Sequence, residues 1–242
     1  MSIFLFIHGS GHGGWCWDKI SPLLKESGHQ VLAPDLPGSG KDHTPLINIS
    51  LESYVTCVCR ILDAQDQPVI LVGHSLGGIT ITQTAERRSN KIKALVYLAA
   101  FLLRNGERCL DIEDPDSLAR KNIVLSDDGI SKKLRPDSVK EVLYGDCSDE
   151  DIARALPLLV PEPLQIGSTP MVTSEKFFGR VARYYIECLQ DRAITPWCQR
   201  KMYMTQPCRK VFSLEASHSP FLSAPRALVQ HLLTVDHLVN EL

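Results

Sequence analysis

The 242-residue sequence predicts a single α/β domain. A mostly parallel sheet of about six strands is flanked by helices, and a helical insert covers the sheet's carboxyl edge. Three observations carry this prediction. Short apolar runs alternate with segments of helix length, the pattern of βαβ units whose strands are buried on both faces. The alternation stops after Phe101 and resumes at Ala182, which places an insert at about 104–181 within one domain spanning 1–242. Hydrophobic residues make up 44% and charged residues 22%, an ordinary globular balance in a chain long enough to build one sizeable core.

The elements follow in order. Ile3–Ile7 is a buried strand. "GGWCWDKISPLLKESG" is a helix stopped by Gly28, and "HQVLAPDLPGSGKD" is a short strand entering a Pro/Gly loop. Leu51 to about Gln65 is helical, Val69–Val72 a strand, Leu76 to about Asn90 a helix, and Ala94–Ala100 a strand. The insert is more polar, with irregular, weakly helical pieces. Ala182–Leu189 returns as a strand, a helix covers about Pro196–Thr205, Arg209–Leu214 is the last strand, and Ala224 to about Val239 the last helix.

The totals exclude several classes. Net charge is −2 with Lys and Arg scattered, so no nucleic-acid surface is expected. No apolar run is long enough for a bilayer. "MSIFLFIHGSG" lacks a basic lead and reads as a strand rather than a signal peptide. The eight cysteines form no C-x-x-C pair, which points to reduced thiols in a cytoplasmic protein rather than zinc or a redox motif.

Chemistry concentrates at Gly73-His74-Ser75-Leu76-Gly77. The bare G-x-S-x-G pattern is common enough to arise by chance. Here an apolar strand precedes it and a long helix follows, the context in which a sharp turn lifts a serine hydroxyl clear of a sheet. The helix behind Leu76 aims its amide end at the space above Ser75, where an oxyanion would be favoured.

Such a nucleophile expects an acid and then a histidine later in the chain. Of the late histidines, His231 and His237 fall inside the last helix, while His218 sits in the loop after the last strand and is the candidate base. Asp191, just past the preceding strand, is the candidate acid. Asp111, Asp114 and Asp116 compete but fall in the insert, and Glu187 lies within the strand. A second oxyanion donor is expected from "HGSGHGGW", with the Ser10 N–H as candidate beside that of Leu76. His8 and His12 have i, i+4 spacing but lack the glutamate of a zinc helix. No metal is therefore expected, and His8 reads as a structural hydrogen-bonder under the loop.

Nearly the whole chain resembles a known family through "FLFIHGSGHGGWCWDKISPLL", "VLAPDLPGSG", "LVGHSLGG", "LVYLAAF", "FFGRVARYYIECLQDRAITP" and "ASHSPFLSAP". These are similar to α/β-hydrolases of the plant methylesterase and hydroxynitrile lyase group, and to bacterial carboxylesterases including pyrethroid hydrolases. The resemblance implies the same triad, Ser75, Asp191 and His218, and the same oxyanion donors. It implies a serine carboxylesterase needing no cofactor and acting through an acyl-enzyme on a small-molecule ester, with a homodimer left open. Two departures stand out. The lyases carry a lysine after the catalytic histidine where this chain has Ser219. The plant esterases usually carry Asp before that histidine and a Met-rich stretch after it, where this chain has Ser217 and "SPFLS".

Segments flanking the triad offer Phe101, Leu102, Phe177, Phe178 and Phe221 as pocket walls, without a cluster of Lys or Arg. They point to an apolar or aromatic acid esterified to a small alcohol. The rival readings are a specialised biosynthetic hydrolase or cyclase, a lyase using the same triad, and a non-catalytic binding module on the same fold.

Overall fold

In strand β1 (Ile3–Ile7) every residue is buried, and successive side chains serve two different cores. Ile3, Leu5 and Ile7 enter one; Phe4 and Phe6 enter the other. The period of two along a strand requires this when both faces of a sheet are covered. The computed structural model describes residues 1–241.

Beside β1 lie β2 (Gln30–Leu32), β3 (Val69–His74) and β4 (Ile92–Leu98). The insert contributes β5 (Ile123–Leu125), β6 (Ser131–Leu134) and β7 (Glu162–Pro163), and the main sheet closes with β8 (Arg183–Cys188) and β9 (Lys210–Leu214). The main sheet has six strands in the order β2-β1-β3-β4-β8-β9. Every neighbouring pair is parallel. The order reverses direction between β1 and β3, so the loops leaving their carboxyl ends diverge and open a crevice.

One face is covered by α1 (Ile20–Glu26) and α10 (Pro225–Asn240); the other by α2 (Leu51–Asp63), α3 (Gly77–Arg88) and α8 (Pro196–Thr205). Helix α10 buries Leu228, Leu232, Val235 and Val239, spaced to form one stripe. Each such side chain contributes roughly 1.5–3 kcal/mol when fully buried. The helix expected across "GGWCWDKISPLLKESG" begins later, at Ile20, after a 3-10 turn at Gly14–Trp17. Gly14 donates to Asp35 (2.7 Å) and lies against the Ala33 carbonyl, which holds this stretch to the loop after β2 instead of in a regular helix.

Between β4 and β8 the insert carries α4 (Leu118–Lys121), α5 (Val139–Leu143), α6 (Asp149–Ala155) and α7 (Leu164–Ser168); α9 (Pro220–Ser223) follows β9. The insert also holds a three-stranded antiparallel sheet, β5-β6-β7, which the expectation of helical pieces missed. Its strands are two to four residues long and include the polar "SKKL", too short for alternation to register. The turn between β5 and β6 is set by Asp128, which accepts from the Ser126 hydroxyl and the Ile130 N–H, and by Gly129 at φ +71°.

Named bonds tie the insert to the core. Asp114 accepts from the Thr195 N–H and hydroxyl (2.9 and 2.7 Å), the Ser117 hydroxyl donates to the Ala193 carbonyl (2.7 Å), and Lys19 pairs with Asp151 (2.6 Å). Among the described residues no helix is long and apolar enough to cross a membrane. All eight cysteines are free thiols.

Candidate active site

The turn after β3 places Ser75 at φ +51°, left-handed backbone that a non-glycine residue adopts only under constraint. The constraint is visible. Ser75 N–H donates to the Leu98 carbonyl (3.2 Å), and the Ser75 carbonyl accepts from Gly78 and Phe101 (both 3.1 Å). The flanking glycines answer a steric demand. A Cβ at Gly73 would stand 2.9 Å from the Gly77 carbonyl oxygen, and one at Gly77 would stand 2.7 Å from that of His8. Strand, turn and helix approach too closely for any side chain there.

His218 leaves the loop after β9 and its Nε2 lies 3.0 Å from the Ser75 hydroxyl. Its Nδ1 lies 2.7 Å from Asp191 Oδ2. His218 and Asp191 are buried, at 2% and 3% exposure, so this pair is sheltered from competing water. Asp191 is held by four donors. Ala193 and Ile194 N–H groups reach Oδ1 (2.7 and 3.0 Å), and Gln199 Nε2 joins His218 at Oδ2 (3.1 Å). Nδ1 of His218 therefore carries the proton facing the carboxylate, and Nε2 is left as an acceptor for the serine proton.

Behind this row stand residues that sequence reasoning did not assign. His74 donates from Nε2 to the His218 carbonyl (2.8 Å), fixing the backbone that carries the His218 imidazole. Burial, reinforced by the nearby His218, pushes His74 well below the ordinary histidine value, so it stays neutral. Gln199 also donates to the Ile194 carbonyl (2.7 Å), and Asp146 accepts from the N–H and hydroxyl of Ser217. Position 74 lay inside the motif, but nothing in sequence spacing linked Gln199 or Asp146 to the site.

In the loop after β1, His8 accepts from the Leu36 N–H at Nε2 (3.1 Å) and donates from Nδ1 to the Gly9 carbonyl (3.0 Å). His12 donates from Nδ1 to the Ser10 carbonyl (2.9 Å) and meets the Tyr144 hydroxyl at Nε2 (2.9 Å). Burial pushes His12 down to about 3, which leaves it an uncharged strut. No group of three or more potential metal ligands gathers among the described residues. Asp114, a rival acid in the sequence, has its carboxylate engaged by Thr195.

Ser75, His218, Ser10 and Leu76 all border one cavity of about 930 Å³ between the sheet edge and the insert. Leu76 is the residue from which α3 starts, so its N–H points out of the helix. Among the described residues neither the Ser10 nor the Leu76 amide donates to another protein group. Two free N–H groups beside a serine hydroxyl can hold a developing oxyanion.

The cavity walls differ from expectation. Of the five predicted aromatic and aliphatic wall residues, only Phe101 borders the cavity. Leu102 and Phe178 are buried in the core beside α3. Phe177 is 39% exposed, with Lys176 over its ring. Phe221 packs beneath the site against Trp17 and His74. Proximity to the triad in sequence did not decide which way these side chains point: Leu102, Phe178 and Phe221 turn into the core, and Phe177 turns out to solvent. The wall comes instead from the insert, through Leu110, Ile112, Ile123, Leu125, Leu134 and Val139. Arg120, Lys132 and Lys133 border it too, against the expectation of a wall without such a cluster.

The model of the Alpha/beta hydrolase family matches residues 4–231. The chain belongs to that family. Methylesterase 2 of Arabidopsis thaliana is 31% identical over 249 residues, covering 96% of this chain and 95% of that one. Salicylic acid-binding protein 2 of Nicotiana tabacum is 31% identical over 267 residues, covering 98% of each. A pyrethroid hydrolase from Sphingobium faniae JZ-2 superposes with a TM-score of 0.87 at 30% identity over 96% of each chain. Other relatives are longer: the chain spans 64%, 56% and 56% of three Arabidopsis thaliana proteins carrying chloroplastic methylesterase names, numbered 11, 13 and 15.

Proposed function

We propose that this member of the family is a serine carboxylesterase that cleaves small-alcohol esters of apolar or aromatic acids. The observation that carries the reading is the unbroken row from Ser75 through His218 to Asp191, at 3.0 and 2.7 Å, with Ser75 and His218 bordering a cavity that also holds two free amides. The names of its relatives, methylesterase and pyrethroid hydrolase, support ester chemistry in particular.

His218 Nε2 takes the Ser75 proton as Oγ attacks the ester carbonyl carbon. The carbonyl π electrons move to oxygen, and the Ser10 and Leu76 N–H groups hold that oxyanion. Collapse re-forms the carbonyl and breaks the bond to the alkoxide, which leaves with the proton from His218. Water, deprotonated by His218, attacks the acyl-serine; collapse releases the acid and the proton returns to Ser75. Asp191 holds the imidazole in the required tautomer throughout and takes no proton.

The insert's aliphatic wall suits an apolar acyl group, and a buried ring or branched chain contributes roughly 1.5–3 kcal/mol. Because Arg120, Lys132 and Lys133 share that wall, anionic acyl groups are not set aside on charge. The test is a panel of methyl and p-nitrophenyl esters with aryl, medium-chain and long-chain acids, assayed with the unaltered protein and with Ser75→Ala. Aryl and medium-chain esters should lead and amides should be poor. Ser75→Ala should lower turnover by roughly 10⁴–10⁶. Activity in that variant above a tenth of the unaltered level removes Ser75 as nucleophile, and a clear preference for long lipid chains overturns the substrate class.

A further inference from the structure

The loop that offers the Ser10 N–H is gripped from the insert. Glu162, in β7, reaches across and accepts the Gly11 N–H on Oε2 (3.2 Å), while Val160 N–H donates to the Gly11 carbonyl (3.0 Å). Both polar groups of one peptide-bearing residue are thus fixed by a segment about 150 positions away. Gly11 sits at φ +70°, and a Cβ there would stand 3.1 Å from the Val160 carbonyl oxygen. The fit between loop and insert leaves little slack.

Glu162 is itself buried, at 4% exposure, and nothing in the triad uses it. Its other oxygen, Oε1, accepts from the Tyr54 hydroxyl (3.4 Å) of α2. Lys132 stands opposite it in the β6–β7 register. A buried carboxylate needs such donors. Here they come from α2 and from the oxyanion loop at once. The carboxyl group is therefore a junction between the cavity's roof and the backbone beside the reacting atoms.

We propose that Glu162 is a positioning residue for the reaction, holding the Ser10–Gly11 peptide so that the Ser10 N–H faces the oxyanion. The inference rests on the esterase reading of the site. What matters is an acceptor at the Oε2 position, not the negative charge. Glutamine keeps an oxygen there and can turn its amide toward the Tyr54 hydroxyl, which accepts as well as donates. Aspartate keeps the charge and withdraws the acceptor by one methylene. Alanine removes the acceptor and leaves the Gly11 N–H buried and unpaired.

The test compares Glu162→Gln, Glu162→Asp and Glu162→Ala by kcat and KM on one p-nitrophenyl ester, with circular dichroism to establish that each folds. A lost oxyanion donor costs roughly 10²–10³ in kcat, so a displaced one should cost about 10–100-fold. The expected pattern is a fall of that size in kcat for Ala and Asp with KM within threefold, and Gln within threefold of the unaltered protein on both. Equal kcat in Ala and the unaltered protein overturns the inference, as does a loss carried by KM alone. Rescue by Asp but not Gln overturns it as well, because charge would then be the requirement. If Ala and Asp fail to fold, Gln alone decides: a tenfold or greater loss of kcat refutes the acceptor role, and near-full kcat supports it. Absence of any Ser75-dependent turnover in the unaltered protein fails the esterase reading and this inference together. Turnover insensitive to Glu162 fails only the inference.

Discussion

Replacing Asp191 with asparagine tests how the row is wired, because the surroundings decide which way the new amide turns. Ala193 and Ile194 N–H groups donate to Oδ1, while His218 Nδ1 and Gln199 Nε2 donate to Oδ2. Asparagine has one oxygen for these two places. If its NH₂ faced the two peptide N–H groups, both would be left buried without an acceptor, at about 1–3 kcal/mol each. Keeping the oxygen at Oδ1 leaves only Gln199 opposed, since His218 can change tautomer. Nδ1 then accepts from the new NH₂, and the proton moves to Nε2, which faces Ser75 and can no longer act as base. The side chain stays in place and the fold should hold, but turnover should fall by roughly 10⁴, about 5.4 kcal/mol of transition-state stabilisation. Steady-state hydrolysis of p-nitrophenyl butyrate, with a melting curve beside it, reads both quantities. A folded variant retaining more than a hundredth of normal kcat would refute the assignment of Asp191 as the group that sets the tautomer.

Other expectations follow from the same geometry. His8, His12 and His74 are all buried with pKa values pushed down by desolvation, His12 to about 3. Below the ordinary value of 6.5 the unfolded chain binds protons that the folded chain refuses, so stability should fall with acidification. Each such group can contribute up to about 1.4 kcal/mol per pH unit. Glu162, raised by burial, works in the opposite sense and offsets part of the loss near its own range. Urea midpoints between pH 7 and 4.5 check this, and a flat profile contradicts it. Gly77→Ala would place a methyl 2.7 Å from the His8 carbonyl oxygen in the middle of the structure. Overpacking of about 3 kcal/mol should lower Tm by roughly 6–12 °C; an unchanged Tm would mean that β1 and α3 yield freely. Mandelonitrile should release cyanide far more slowly than esters are cleaved. Ser219, in place of a lysine after the base, is fully buried and does not border the cavity. Comparable rates on the two substrates would favour the lyase reading.

The core and the meeting of Ser75, Asp191 and His218 were legible in the sequence because both depend on local signals. Fully apolar runs such as "FLFI" and "VILV" suit a strand buried on both faces, and the glycine at 73 is demanded by contacts within its own turn and helix, whereas Gly77 answers to β1. Asp191 and His218 could be placed because each follows a strand whose end was readable. The wall of the cavity depends instead on how an insert of short, polar strands folds back over the sheet. In "IVLSDDGISKKL" the Asp-Gly pair is a turn signal, but the flanking strands are too short for alternation to mark a hairpin, and chain proximity to the triad says little about which side chains face the cavity. Phe221 illustrates the error: three residues from His218 in sequence, it turns under the site to pack on Trp17. Glu162 illustrates the omission, since its partner Gly11 lies 151 residues away. Residues that act through long-range contacts leave no spacing to read. The same contacts make the insert part of the site, because the backbone around Ser10 is held from above as well as from below.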